Sequence, residues 1–254
     1  PPHRPVASQR QLRTHIPVAA DVRRLFTSAA TLKALHQLAK GDASGLVRLA
    51  LASTLQRLPV SQRIGLAAAL AARTDDAQDH NLPLLIWYGL IPVADADPAA
   101  LATLAAHCEL PATRKLIARR LAEDIEKHPA PLDKLLELTS AKPEAFQADI
   151  LDGLAEGLTG WRKAKKPAAW DAIAKKLADA TEAGVRSRVR DLSVLFGDGR
   201  ALDDVKKVAL DKNADLSARK AALQTLIDNR PPDLRQLCEQ LLDVSFLNPV
   251  AARG

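Results

Sequence analysis

Aromatic residues are scarce in this chain of 254 residues: they make up 3% of it, as three Trp, four Phe and a single Tyr, Tyr88. Methionine is absent, and there are two cysteines. So few aromatics argue against a strand-built core, because strands draw on aromatic and β-branched side chains, whereas the Ala and Leu that dominate here are strong helix formers. Cys108 and Cys238 stand alone, without a CxxC or CxxCH neighbour, so the chain encodes neither a zinc site nor covalent haem attachment. They read as two partly buried free thiols. No run approaches the ~20 apolar residues that a membrane helix needs, and no signal-peptide pattern opens the chain. Gly153, Gly157 and Gly160 are followed by no Gly-Lys-Ser/Thr ending and preceded by no strand, so they form no phosphate-binding loop.

What remains is a helical sequence. At 47% hydrophobic it can bury a real core. Ser28 reads as an N-cap, Leu32, Leu35 and Leu38 mark one face, and Gly41 is a stop. Asp42 is expected to cap a second helix, closed by Pro59, and Ser61 to open a third running to Arg73. Leu82–Ile91 is apolar almost all round, which predicts a central helix covered on several sides. Asp97-Pro98 and Leu110-Pro111 place proline at a first helical position. Further helices are expected over Pro129–Leu138, Lys142–Leu158, Pro167–Ala180, Glu182–Phe196, Ala201–Leu210, Leu216–Asp228 and Pro232–Leu242, with no credible strand between them. Residues 1–27 hold a proline-rich, irregular lead-in with at most one short helix around Ser8–Arg13.

Several helices share an Arg followed three and seven residues later by core-facing positions: Arg48/Leu51/Leu55, Arg114/Ile117/Leu121, Arg188/Asp191/Leu195 and Arg219/Ala222/Leu226. The arginines are 66, 74 and 31 residues apart, which fits two, two and one units of a helix pair. Asp191 breaks the apolar pattern of the third set. Short loops and this period predict an all-α, HEAT-like α-solenoid of about six or seven antiparallel hairpins over residues 28–254, in which each hairpin buries its apolar stripe on the next.

The net charge of +6 raises the question of an acidic partner or nucleic acid. Basic residues concentrate at Arg114-Lys115 with Arg119-Arg120, at Arg162-Lys163 with Lys165-Lys166, and at Arg186, Arg188 and Arg190. A solvated helix face accounts for each. Trp161 and Trp170 flank the second group, a composition that suits phosphate and base stacking but equally suits two Trp packing into their own hairpins.

The densest set of polar side chains is Asp75, Asp76, Asp79, His80 and Asn81, immediately before the aromatic pair Trp87 and Tyr88. Three carboxylates within five residues could hold a hard cation such as calcium, but the glycine and terminal Glu of an EF-hand loop are missing. A simpler reading has Asp79 or Asn81 capping the helix that starts at Leu82. A third makes the loop a docking patch for another domain, with Trp87 and Tyr88 as packing support. His80 has no partner nucleophile in the sequence, and no paired acid and base is readable, so the chain reads as non-catalytic by itself.

Three blocks, Gly45–Pro59 (GLVRLALASTLQRLP), Asp75–Gly89 (DDAQDHNLPLLIWYG) and Ile117–Leu121 (IARRL), resemble the HEAT-repeat region of the large haem-binding, membrane-bound dehydrogenases of the planctomycete (PVC) type. The similarity covers residues 40 to 125 approximately and is generic beyond. In that family a sorbosone- or glucose-dehydrogenase-like propeller precedes the solenoid, and a c-type cytochrome domain carrying CxxCH follows it. This chain has no CxxCH and no propeller strands. The resemblance therefore implies a scaffold segment of an exported or periplasmic oxidoreductase, with any haem c elsewhere in the parent and no cofactor held here. A start without Met and an end at Gly254, just past Asn248-Pro249, fit an excised segment truncated at its C-terminus. The partners expected are neighbouring domains of the same polypeptide or another protein. The alternative is a stand-alone basic HEAT-like module that binds nucleic acid, which requires its Lys and Arg groups to converge on one face.

Overall fold

The computed structural model describes residues 28–197 and 199–254. The expected lead-in and its short helix lie outside them. Within them every regular element is helical: α1 (Ala29–Gly41), α2 (Gly45–Thr54), α3 (Val60–Ala71), α4 (Leu82–Ala96), α5 (Pro98–Ala106), α6 (Pro111–Glu123), α7 (Pro129–Thr139), α8 (Glu144–Gly157), α9 (Trp170–Leu177), α10 (Ala183–Leu195), α11 (Gly199–Leu210), α12 (Leu216–Asn229), α13 (Leu234–Leu241) and α14 (Asn248–Ala251). The described residues form no strand, and the chain is all-α. Short 3₁₀ turns at Leu55–Arg57 and Thr74–Asp76 interrupt the first four helices.

The chain forms two compact units, the first reaching Ala96 and the second running from Asp97 to Gly254. In the first, α1 packs on α2 and α3, α2 also on α4, and α3 on α4. In the second, α5 packs on α6 and α7, α6 on α7 and α8, α7 on α9, α8 on α10, and α10 on α9, α11 and α12. Most helices thus touch both the next and the next but one. An amphipathic helix of three turns is marginal alone, so these neighbours supply the burial that keeps each one folded.

Local sequence explains most boundaries. Ser28 caps α1 by accepting from the Thr31 amide at 3.1 Å. Asp97 accepts from the Ala100 amide ahead of Pro98, as the Asp-Pro pair predicts. Asp215 caps α12 through the Ser217 and Ala218 amides. The expected Asp42 cap differs: Ser44 is the N-cap residue of α2, and the Asp42 carboxylate instead receives the Ser44 amide at 2.8 Å, shaping the turn before the helix. The helix at Leu82 continues to Ala96 through Pro92, five residues beyond the apolar run.

The closest approach of two helices comes from glycine. On α8, a Cβ at Gly153 would lie 2.3 Å from the Lys115 carbonyl of α6, and one at Gly157 would lie 2.5 Å from the Arg119 carbonyl. Two glycines one turn apart let the backbones of α6 and α8 meet directly, with Ala118 and Ala122 opposite them.

A repeated hydrogen bond marks the register of the helices. In five of them the residue whose amide closes the first helical turn onto the N-cap carbonyl is a long polar side chain: Arg48, Arg114, Gln147, Arg186 and Arg219. Each reaches back to carbonyls at or just past the end of the preceding helix. Arg48 donates to Asp42 O at 3.1 Å, Arg114 to Cys108 O at 2.6 Å, Gln147 to Thr139 O and Ser140 O at 2.9 and 2.8 Å, Arg186 to Ala180 O and to Thr181 O at 2.9 Å, and Arg219 to Ala209 O at 3.1 Å. Those carbonyls have no partner within their own helix, so each side chain serves as a cap supplied by the following helix. This moves the third arginine set from Arg188 to Arg186. Arg186 is followed by buried Val189 and Ser193, and the spacing from Arg48 onward becomes 66, 33, 39 and 33 residues. Arg188 points elsewhere, pairing with Asp152 of α8 at 3.0 Å with both side chains about two-fifths exposed.

Candidate functional site

The acidic loop before α4 separates into residues with different work. Asp76 sits in the 3₁₀ turn, is 5% exposed, and receives Arg48 through two parallel bonds, Nε to Oδ2 and Nη2 to Oδ1, both 2.6 Å. This bidentate contact holds the Arg48 guanidinium above its ordinary pKa, chiefly through the hydrogen bond itself. Asp75, on the exposed side of the same turn, meets Arg73 at 2.8 Å, and Arg73 also donates to the Lys40 carbonyl. Asp79 accepts from the amides of Asn81 and Leu82 at 2.8 and 2.7 Å, so it is the cap of α4. Those two backbone donors hold its carboxyl below the usual carboxylate range. His80 and Asn81 are exposed, and Asn81 contributes the carbonyl that starts the helix by accepting from Leu85.

The three carboxylates do not converge. Asp76 turns inward to Arg48, Asp79 turns onto its own backbone, and Asp75 turns to Arg73. Among the described residues no group of three or more His, Cys, Asp or Glu side chains gathers as a metal site would require.

Helix α4, expected to be covered on several sides, leaves one face open. Leu82, Ile86, Leu90 and Val93 are buried, and Gly89 packs against Leu55, whose Cβ would be 2.5 Å from an added methyl group. Leu84, Tyr88 and Ile91, however, are 39%, 51% and 40% exposed. Their spacing of four and three residues places them on one face, so an apolar stripe with the sole Tyr at its centre remains uncovered. Trp87 is half-buried beside it. The sequence pointed to Trp87 and Tyr88 but not to Leu84 and Ile91. An all-apolar helix hides its exposed stripe, because periodicity carries no contrast between a covered and an open face.

Inside the same unit lies a buried cation without a carboxylate. Arg63, 9% exposed, donates to the carbonyls of Leu58 at 2.9 Å, Gln56 at 3.0 Å and Gly89 at 2.9 Å. Burial lowers its pKa, yet an arginine stays charged at any ordinary pH. Three neutral carbonyl dipoles replace its water. The first two lie at the 3₁₀ turn, and the third belongs to α4, which runs on through Pro92.

The basic clusters are mostly spent within the protein. Arg114 is buried against Asp149, Lys115 meets Glu156 at 2.6 Å, Arg119 meets Glu123 at 3.1 Å, and Arg120 meets Asp124 at 2.5 Å. The Arg114 guanidinium also lies 3.7 Å from the centre of the Phe146 ring. In the Trp-flanked group, Trp170 is 2% exposed, donates from Nε1 to Ser193 Oγ at 3.0 Å and meets Phe196 edge-on at 5.0 Å. It is a packing residue and presents no face for a base. The loop between is pinned by the Ala164 amide on the Leu195 carbonyl at 3.0 Å and by the Lys165 amide on Glu126 at 2.7 Å.

Comparison with family models, with curated proteins and with solved structures found no match to this chain.

Proposed function

We propose that this chain is a non-catalytic helical-repeat segment, a HEAT-like solenoid, that docks neighbouring domains rather than carrying out chemistry. The observation that carries this reading is the exposed Leu84–Tyr88–Ile91 stripe on α4, beside a loop whose carboxylates are already bonded within the chain. An uncovered apolar stripe with an aromatic centre and a polar rim has the make-up of an interface core. Support for the repeat comes from the cap that five helices supply to their predecessors at intervals near 33 residues, and from packing between most helices and the next but one. Asp75, His80 and Asn81 form the polar edge of the patch, while Asp76 and Asp79 hold its shape from within.

The resemblance of Gly45–Pro59, Asp75–Gly89 and Ile117–Leu121 to the planctomycete-type dehydrogenases supplies the context. The parent would be a periplasmic or exported oxidoreductase in which this segment spaces a propeller from a c-type cytochrome domain. The coding sequence on either side tests that context: a propeller upstream and CxxCH downstream are expected, and their absence would remove it. The docking role has its own test in the full-length polypeptide. Replacing Tyr88 and Ile91 with Ser is expected to expose inter-domain linkers to limited proteolysis while leaving the helical circular dichroism unchanged. An unaltered digestion pattern would reject the stripe as the docking face.

A further inference from the structure

We propose that the second unit carries an anion site for a short polyphosphate, in the hollow bounded by α9, α10 and α11 and anchored by Lys175 and Arg190. This inference is independent of the docking role. The hollow has a volume of about 1060 Å³, at the upper end of small-ligand sites, and its charged lining is mainly basic. Two of its cations are compensated: Lys166 pairs with Asp171 at 2.8 Å and Lys207 with Asp204 at 2.9 Å. Arg186 is half-compensated, because its donors go to the neutral carbonyls of Ala180 and Thr181 while Glu144 acts on its charge from the Thr181 side. Lys175, exposed on α9, and Arg190, half-buried on α10, are held in no salt bridge among the described residues, although Arg190 acts on the charge of the neighbouring Asp191. Unlike Lys166 and Lys207, they keep their donors free of an ion pair across the hollow.

Arg190 is also reached from a second, smaller hollow of about 440 Å³, which shares Arg186 and Arg190 and ends at Asp215 and Ser217 at the start of α12. Arg186 and Arg190 lie one turn apart on α10, so they form a basic ridge open to both sides. Between the cations the lining is aliphatic, from Ala174, Ala178, Val189 and Val208. The aromatic ring present, Phe196, is 6% exposed and turned onto Trp170. Without an open ring there is no platform for stacking bases, which is how single strands are held. One exposed and one half-buried cation on adjacent helices favour a ligand that brings several negative charges close together. A chain of phosphates does so, and a single sulfate does not.

Titration of the full chain with inorganic tripolyphosphate at low salt tests this. Binding is expected, it is expected to weaken steeply as salt rises, and sulfate is expected to bind at least tenfold more weakly. The K175Q/R190Q double variant should lose at least tenfold in affinity with its thermal unfolding unchanged, whereas K33Q/K127Q, which removes the same charge elsewhere, should bind as the parent does. No binding of tripolyphosphate, or equal loss in the two double variants, would overturn the site. A 20-base single strand that binds more tightly than tripolyphosphate, and loses that affinity in K175Q/R190Q, would overturn the small-anion assignment in favour of nucleic acid.

Discussion

Arg48 and Asp76, 28 residues apart, face each other through two bonds of 2.6 Å with both side chains 6% exposed, tying the start of α2 to the turn that leads into α4. The most acidic stretch of the chain is therefore built around a pair that solvent hardly reaches. With both side chains 6% exposed, the pair is out of reach of a partner.

Removing one member of such a pair leaves the other charge buried and unmatched, which costs about 3–5 kcal/mol. Asp76→Asn is expected to lower the stability of the first unit by that order in urea denaturation. Asp75→Asn, one residue away, is expected to change it by less than about 0.5 kcal/mol, since its side chain is 64% exposed and its bond to Arg73 is a surface one. Equal effects at the two positions would mean that Arg48 finds other partners when Asp76 is gone.

Substituting glycine separates packing from helix propensity. Gly153→Ala must push a methyl group into the Lys115 carbonyl and the Ala118 side chain, and overpacking of this kind costs about 1–3 kcal/mol, more than the ~1 kcal/mol gained from replacing glycine in a helix. Gly184, in the first turn of α10, has open space around its Cβ position, so Gly184→Ala is expected to stabilise by about 0.5–1 kcal/mol. Thermal unfolding of the two variants should move in opposite directions.

The all-helical character of the chain was legible from Ala and Leu abundance, and caps such as Ser28 and Asp97 were legible because their chemistry is local. The places of the Arg and Gln caps that reach back to the preceding helix were not. Arg186, Arg188 and Arg190 are equally plausible as text, and what separates them is a carbonyl left open at Ala180 by another helix. Gln147 fills the same place in α8 without being an arginine, so a search for arginine passes over it. The loop residues Asp75, Asp76 and Asp79 look alike in sequence, but three different partners, Arg73, Arg48 and the α4 amides, divide them, and one of those partners, Arg48, lies 28 residues away and is fixed only by the fold.

The revised register is open to a direct comparison. Arg186→Ala removes two bonds to carbonyls that no other described group satisfies, and a loss of about 1–3 kcal/mol is expected. Arg188→Ala removes a half-exposed ion pair with Asp152, and a loss of no more than about 1 kcal/mol is expected. Chemical denaturation of the two variants under the same conditions ranks them, and the reverse order would favour Arg188 as the position in the proposed repeat.

Cys108 supplies a test that depends on pH. Its thiol is fully buried at the turn between α5 and α6, and burial, which penalises the thiolate, pushes its pKa up to about 11 from 9.0. A thiol that keeps its proton when folded but loses it more readily when unfolded binds more protons in the native state, so stability falls as pH rises from the unfolded value to the folded one. The contribution is intact below pH 9 and is lost between about pH 9 and 11, by an amount on the order of 2–3 kcal/mol. Cys108→Ala removes the titrating group, so the stability difference between parent and variant should shift against the parent by that amount across the same interval, on top of any constant offset from the smaller side chain. Lysine and tyrosine titrations affect both proteins alike and drop out of the difference. A difference that stays flat from pH 8 to 11 would show that the folded thiol titrates as freely as the unfolded one, and native Cys108 would then react with a disulfide reagent at pH 8, where the buried thiol is expected to remain inert until the chain unfolds.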